Sequence, residues 1–272
     1  MLYTSRTFPL EYPLAEADVV LAGVPWDSTE IGKSVKHGPL FIREALKGLE
    51  GFDPETGVHV FAQAKPCDLG DVEVVPGNWG LTKERITDTV RAALVANPTV
   101  FPIVLGGDHL ITLGILESLV AAHGKLTVVH FDAHRDLSPD WLGEPYAHIT
   151  WGYHAIKSLG VRLVQLGVRS STEEEHALIR ELPVTSSLAG LEGPVYLTVD
   201  LDVFDPGFAP EVGTPEPLGM SPPEFFALLR QVCQHRLVGM DIVECAADRV
   251  NTPTALLGAQ IIKKVLVWRG KR

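Results

Sequence analysis

The sequence predicts an α/β protein, a three-layer α/β/α domain around a mostly parallel sheet. Two observations carry this. Apolar, β-branched runs alternate with helix-period segments almost from end to end, the arrangement that buries a parallel sheet under helices on both faces. Polar residues able to bind cations recur where a predicted strand gives way to a loop, the edge at which open α/β sheets bind ligands.

In chain order, strands are expected at residues 19–24, 100–105, 126–131, 162–167, 195–201 and 237–242, each a short apolar run bounded by loop-forming residues. Helices are expected between them, over 41–47 with its flanks, 82–96, 111–122, 173–182, 222–235 and 254–268. Ser221 and Thr252 stand ahead of prolines as N-caps, because a hydroxyl accepts the free amide hydrogens of a first turn and proline needs no partner there. Glu173-Glu174-Glu175 follows Thr172 and supplies negative charge to a helix start; a place at a site mouth, attracting an amine, is the alternative. The Pro- and Gly-rich stretch 205–223 reads as a long ordered loop. The chain shows no fixed repeat, and 272 residues with 46% hydrophobic content suit a single domain over 1–272.

Composition narrows the function classes. The net charge of −11, without clustered Lys and Arg, argues against a nucleic-acid surface and suits a cationic substrate, although solubility alone accounts for such a charge. No apolar run approaches the roughly 20 residues that cross a bilayer, and Met1 to Arg6 lack a basic segment leading into an apolar core. A cytoplasmic protein with no membrane partner is expected. Cys67, Cys233 and Cys245 are too few and too scattered for a disulfide framework or a thiolate zinc site. Gly32-Lys33-Ser34 imitates the end of a phosphate-binding loop, but Asp27 stands where that motif needs glycine.

The chemistry lies in six residues: His109, then Asp132, His134 and Asp136, then Asp200 and Asp202. In extended chain, residues two apart project to the same side, so each group can aim at one spot. Buried together, four carboxylates would repel one another unless divalent cations neutralised them. Carboxylate oxygen with some imidazole and no Cys favours a hard ion, Mn²⁺ above all. Two such ions, roughly 3.5–4 Å apart, would lower the pKa of a shared water and support metal-assisted hydrolysis.

The same residues carry a resemblance. Gly106-Gly107-Asp108-His109, Asp132-Ala-His134-x-Asp136, Asp200-x-Asp202-x-x-Asp205-Pro206, Gly213-Thr214-Pro215-Glu216 and Asp241-Ile-Val-Glu244 resemble, in order, the motifs of the ureohydrolases, the arginase and agmatinase family. Gly23-Val-Pro25-Trp-Asp27-Ser28, His37-Gly38-Pro39 and Ile42-Arg43-Glu44 are similar to the agmatinase branch. The resemblance implies an arginase-like fold and two Mn²⁺ per subunit, one held by His109, Asp132, Asp136 and Asp200, the other by Asp132, His134, Asp200 and Asp202. It implies hydroxide attack on a guanidinium carbon, giving urea and an amine, with Asp136 orienting the hydroxide and Glu244 pairing with the guanidinium. His148 falls where the family has a histidine that protonates the leaving amine, and Thr150 two residues on is taken as a further substrate contact. A homo-oligomer, trimer or hexamer, and a place in polyamine biosynthesis are implied on the same ground.

The chain departs from the agmatinase pattern after His148, in Ile149-Thr150-Trp151-Gly152-Tyr153-His154, which leaves the substrate's far end open. Agmatine leads; arginine, guanidinobutyrate, aminopropylagmatine and formiminoglutamate are alternatives. A binding subunit without catalysis is a rival of another class, as is a phosphoesterase, for which Arg135 is thin support. Arg135 itself is larger than the pattern expects and reads as solvent-facing or paired behind the ligands. Asp108 and Asp205 are expected to order the backbone or the groups just behind the metal ligands, His130 to be a hydrogen-bonded core histidine, and Glu216 either to face the site or to hold its loop.

Overall fold

The computed structural model describes residues 6–28 and 32–269; residues 1–5, read above for a leader, lie outside it. Ten strands and eight helices occur among the described residues. They run β1 (Val19–Val24), α1 (Gly38–Lys47), β2 (Phe52–Asp53), β3 (Val58–His59), α2 (Val60–Gln63), β4 (Pro66–Asp71), α3 (Trp79–Ala96), β5 (Phe101–Gly106) and α4 (Ile111–His123). There follow β6 (Thr127–Phe131), α5 (Trp151–Leu159), β7 (Arg162–Leu166), α6 (Glu173–Leu178), β8 (Val184–Thr185), β9 (Pro194–Asp200), α7 (Pro222–Val232), β10 (Arg236–Val243) and α8 (Pro253–Trp268).

Eight strands form one sheet in the order β4-β1-β5-β10-β9-β6-β7-β8, and every pairing within it is parallel. Helices cover both faces, as predicted. Ile42 and Leu46 of α1, Phe225 and Leu229 of α7 and Ile261 of α8 meet Val19, Leu21, Ile103, Leu197 and Ile242 on one face. Ile86 and Val90 of α3, Leu116 of α4 and Trp151 and Ala155 of α5 meet Val20, Val104, Val128 and Tyr196 on the other. Successive residues of one strand, such as Val19 and Val20, thus enter different layers, which is why these strands are apolar throughout.

All six predicted strands occur, within a residue or two of the expected ends. Unforeseen are β4 and β8 at the two sheet edges and the antiparallel pair β2–β3. β4 reads Pro-Cys-Asp-Leu-Gly-Asp, and an edge strand tolerates such polar, Pro- and Gly-containing sequence because one side of it needs no partner. Its place is held from α1, where the buried Arg43 pairs with Asp68 at 3.0 Å and with Asp71. The predicted helices are found, with α6 and α7 ending sooner than expected. Thr252 accepts from the amide of Ala255 as an N-cap; Ser221 also stands at its helix N-cap, but its amide and hydroxyl both donate to the Glu224 carboxylate.

This topology matters for what sits at the sheet's C-terminal edge. β5, β10, β9 and β6 are neighbours at its centre, and they lead directly into Gly107–His109, Glu244, Asp200–Asp202 and Asp132–Asp136. Four segments remote in sequence are thereby delivered to one place.

Candidate metal centre

His109 is the hub of the first half of the site. Its Nδ1 lies 3.1 Å from Asp132 Oδ2, 3.2 Å from Asp136 Oδ2 and 3.3 Å from Asp200 Oδ2. Its other nitrogen, Nε2, is 2.8 Å from the hydroxyl of Thr198, which in turn donates to Asp241 at 2.5 Å. Asp241 also accepts from Thr112 and Tyr196, so a buried carboxylate and a hydroxyl fix the ring's rotation and turn Nδ1 to the three aspartates. Trp151 stacks on the ring at 4.8 Å and donates Nε1–H to Asp136 Oδ2 at 2.8 Å.

His134 forms the second half. Its Nδ1 lies 2.9 Å from Asp202 Oδ2 and 3.5 Å from Asp132 Oδ1, while Nε2 is 3.8 Å from Glu216 Oε1. Asp132 therefore serves both halves, one oxygen toward each. Asp200 Oδ1 accepts from the amide of Asp202, holding those two carboxylates in fixed relation.

The six predicted ligands thus come together, and their chemistry fits divalent cations. His109 Nδ1 and Asp202 Oδ2 are buried without a hydrogen-bond partner, though each is surrounded by potential ligands. Two groups with metal-ligand spacing result, one containing His109, Asp132 and Asp136, the other Asp132, His134 and Asp202. His130 falls within the first group, but its Nε2 points at Asp132 Oδ2, 2.7 Å away, as a core histidine would.

Electrostatics show the same demand for positive charge. Burial, then the charges of Asp202 and Asp132, push Asp200 well above the ordinary carboxylate range. Burial and Asp132 raise Asp202. Burial alone would depress the two histidines; instead Asp132, Asp136 and Asp200 raise His109 well above its usual value, and Asp132 and Asp202 raise His134 to about 12. For Asp132, burial is outweighed by His130 and His109, which hold it well below the ordinary range. The carboxylates around them thus favour the charged forms of His109 and His134.

Glu244 directly follows β10, with one oxygen accepting from the amide of His109 at 3.0 Å. Burial and the charge of Asp108 push its carboxyl well above the ordinary range. A Cβ at Gly213 would stand 2.5 Å from its other oxygen, so any larger residue there would displace the Glu244 carboxylate. Gly107 is under similar constraint, since a Cβ there would meet the carbonyl of Trp26 at 1.8 Å. Asp136 and Glu244 adopt left-handed backbone, with φ of 52° and 62°.

His148 begins a 3₁₀ turn and is near enough to Asp108 for its charge to favour that carboxylate. Among the described residues no hydrogen bond joins it to the ligands. Thr150 is fully buried, its hydroxyl donating to the carbonyl of Ala147 and accepting from that residue's amide. Its position supports the His148 loop, in place of the substrate contact expected from sequence. Asp108 accepts from Ser28 and from the Leu110 amide, and Asp205 from the amides of Gly207 and Gly219, so both order backbone as expected. Glu175 does not attract ligand from a mouth. It is buried and accepts from the amide of Leu137, tying α6 to the Asp136 loop. Sequence reasoning also missed Arg169, whose guanidinium donates to the carbonyls of Asp202, Glu216 and Pro217 and so binds the loops after β9 together.

A parallel α/β sheet with a His/Asp cradle at the C-terminal ends of its central strands belongs to the class of α/β folds that present a candidate cation site at that edge. A model of the arginase family matches residues 17–188 and 184–268. The N(1)-aminopropylagmatine ureohydrolase of Thermococcus kodakarensis is 35% identical, over 96% of this chain and 95% of that protein. The agmatinase of Pyrococcus horikoshii is 31% identical, over 98% of each. The solved structure of agmatine ureohydrolase from Thermoplasma volcanium superposes with a TM-score of 0.84 at 29% identity, covering 99% of this chain and 94% of the other. The chain belongs to the arginase family.

Proposed function

We propose that this chain is a Mn²⁺-dependent ureohydrolase of agmatinase type, which hydrolyses the guanidino group of an amine to urea and the amine. The observation that carries the reading is the paired cradle around Asp132, with His109 and His134 each turned toward it. Relatives named for agmatine and for N(1)-aminopropylagmatine support an amine tail on the substrate, and the net charge of −11 suits such a cation.

Two Mn²⁺ ions held by His109, Asp132, Asp136, His134, Asp200 and Asp202 would supply Lewis acidity and a water-derived nucleophile at neutral pH. The chain's own groups do the rest. Asp136, held by Trp151, accepts a hydrogen bond from the attacking water and fixes its direction. Glu244 receives the guanidinium, whose planar N–H groups match a carboxylate. As the C–N bond to the amine breaks, His148 gives its proton to the departing nitrogen. The hydrogen bonds between Thr150 and Ala147 brace the turn that carries His148.

Glu244→Gln keeps the shape and the acceptor for the His109 amide but loses the charge toward the guanidinium. A hydrogen bond to a charged group contributes about 1.5–3 kcal/mol, so kcat/KM should fall about 10- to 100-fold. Metal content should stay unchanged; steady-state urea release and elemental analysis check both.

The reading is tested by urea release from agmatine, N(1)-aminopropylagmatine, arginine and guanidinobutyrate, with and without Mn²⁺. Mn²⁺-dependent release is expected from the two amines ahead of the others; no urea from any guanidino amine sinks the proposal. The same reading includes a cytoplasmic homo-oligomer, trimer or hexamer, which light scattering tests. Among the described residues no helix is long and apolar enough to cross a membrane.

A further inference from the structure

We infer that Gln165 and Arg135 are positioning residues that set which nitrogen of His130 carries its proton, and through His130 aim Asp132 at the metal centre. This rests on reading Asp132 as a metal ligand.

The argument starts from groups that cannot change roles. His130 and Gln165 lie opposite each other on β6 and β7, both buried. The Gln165 amide nitrogen is 2.7 Å from the carbonyl of Arg135 and 3.1 Å from His130 Nδ1. The amide oxygen lies 3.2 Å from Nη1 of the Arg135 side chain. A carbonyl only accepts and a guanidinium only donates. One residue, Arg135, therefore fixes both ends of the amide, with its backbone holding the nitrogen and its side chain the oxygen. The amide nitrogen then donates to Nδ1, so Nδ1 must accept, and the ring proton sits on Nε2. From there it is donated to Asp132 Oδ2 at 2.7 Å.

The far end of this chain of bonds selects between oxygens. Asp132 Oδ2 is the atom that faces His109, while Oδ1 accepts from the amide of His134 at 2.5 Å and faces His134 Nδ1. Each oxygen is thus tied from a different side and offered to a different half of the cradle. Were the Gln165 amide turned over, its oxygen would oppose the Arg135 carbonyl and face Nδ1. The ring proton would then be drawn to Nδ1, and Asp132 Oδ2 would lose its donor.

Arg135 is half-buried beside a surface cavity of about 480 Å³ bordered by Gly167, Val168, Thr185 and Ser186. Its side chain can therefore be changed with little disturbance of the core. The residue that departs from the expected pattern in Asp132-Ala-His134-Arg135-Asp136 accordingly has work at the centre, acting through Gln165.

Two measurements test this, one without metal. In ¹⁵N-imidazole NMR of the metal-free protein, with His130 assigned by its loss in His130→Gln, the His130 ring should be protonated on Nε2 alone. Gln165→Leu and Arg135→Met should give a mixture of tautomers, and Arg135→Lys, which keeps a donor to the amide oxygen, should restore the single form. In calorimetric titration with Mn²⁺, the first two variants should bind on the order of tenfold more weakly than the parent, and Arg135→Lys should recover much of the loss. Metal-free thermal melts verify that each variant is folded; if Gln165→Leu is not, Arg135→Met carries the test. A wild-type ring protonated on Nδ1, or parental Mn²⁺ affinity in both variants, overturns the inference. Failure of the wild-type protein to bind Mn²⁺ would overturn the proposed function instead, and the NMR measurement would still decide the relay.

Discussion

Replacing Asp132 by Ala should lower kcat/KM for urea release by at least about a thousandfold, because metal ions contribute several kcal/mol to such reactions and each 1.36 kcal/mol is a factor of ten. Asp132 is the residue to change because it is shared. Its oxygens face His109 on one side and His134 on the other, so its loss disturbs both halves where loss of Asp136 or Asp202 disturbs one. The variant should also bind less than two equivalents of Mn²⁺. Catalysis within tenfold of the parent, with both ions retained, would remove Asp132 from the centre.

Mn²⁺ should raise the melting temperature strongly, and more so at higher pH. At a thousandfold excess over its dissociation constant an ion bound only by the native state stabilises it by about 4 kcal/mol, which for a chain of this size is a shift of roughly 10 °C. The pH dependence has a definite sign. Asp200, Asp202 and Glu244 have folded pKa values above the ordinary carboxylate range, and His109 and His134 lie above the usual histidine value. Between the unfolded and folded values the native chain keeps protons that the unfolded chain has released. Stability of the metal-free protein therefore falls as pH rises through those windows. Asp132, depressed, works the other way, but its contribution is lost only as pH falls below the ordinary carboxylate range. Mn²⁺ must displace the retained protons, so its affinity grows with pH. Calorimetric scans from pH 5 to 8 should show the metal-dependent increment widening; an increment that shrinks, or none at all, contradicts the picture.

Much of this was legible before any coordinates. β1 falls on the predicted 19–24 because its run is buried on both faces and so is apolar throughout. The ligands were legible because they follow strands at a spacing of two. The edge strands β4 and β8 were not, since a strand paired on one side need not look like one. Nor was α5, whose Trp151 buttresses His109 and Asp136. The supports were least visible. Thr198 and Asp241 behind His109, Gln165 behind His130 and Glu175 behind the Asp136 loop are recognised only by partners far off in sequence.

Asp136 and Glu244 carry one more implication. Residues held in left-handed backbone cost of order 1–3 kcal/mol, less for Asp than for Glu, and glycine would hold either turn without that strain. Glycine would also delete the carboxylate. Under the proposed function, the sequence that folds most comfortably at these two places and the sequence that would react are different sequences. On that reading a related chain without the activity would be free to relax there early, so the side chains at 136 and 244 would serve as a gauge of whether the proposed chemistry is retained.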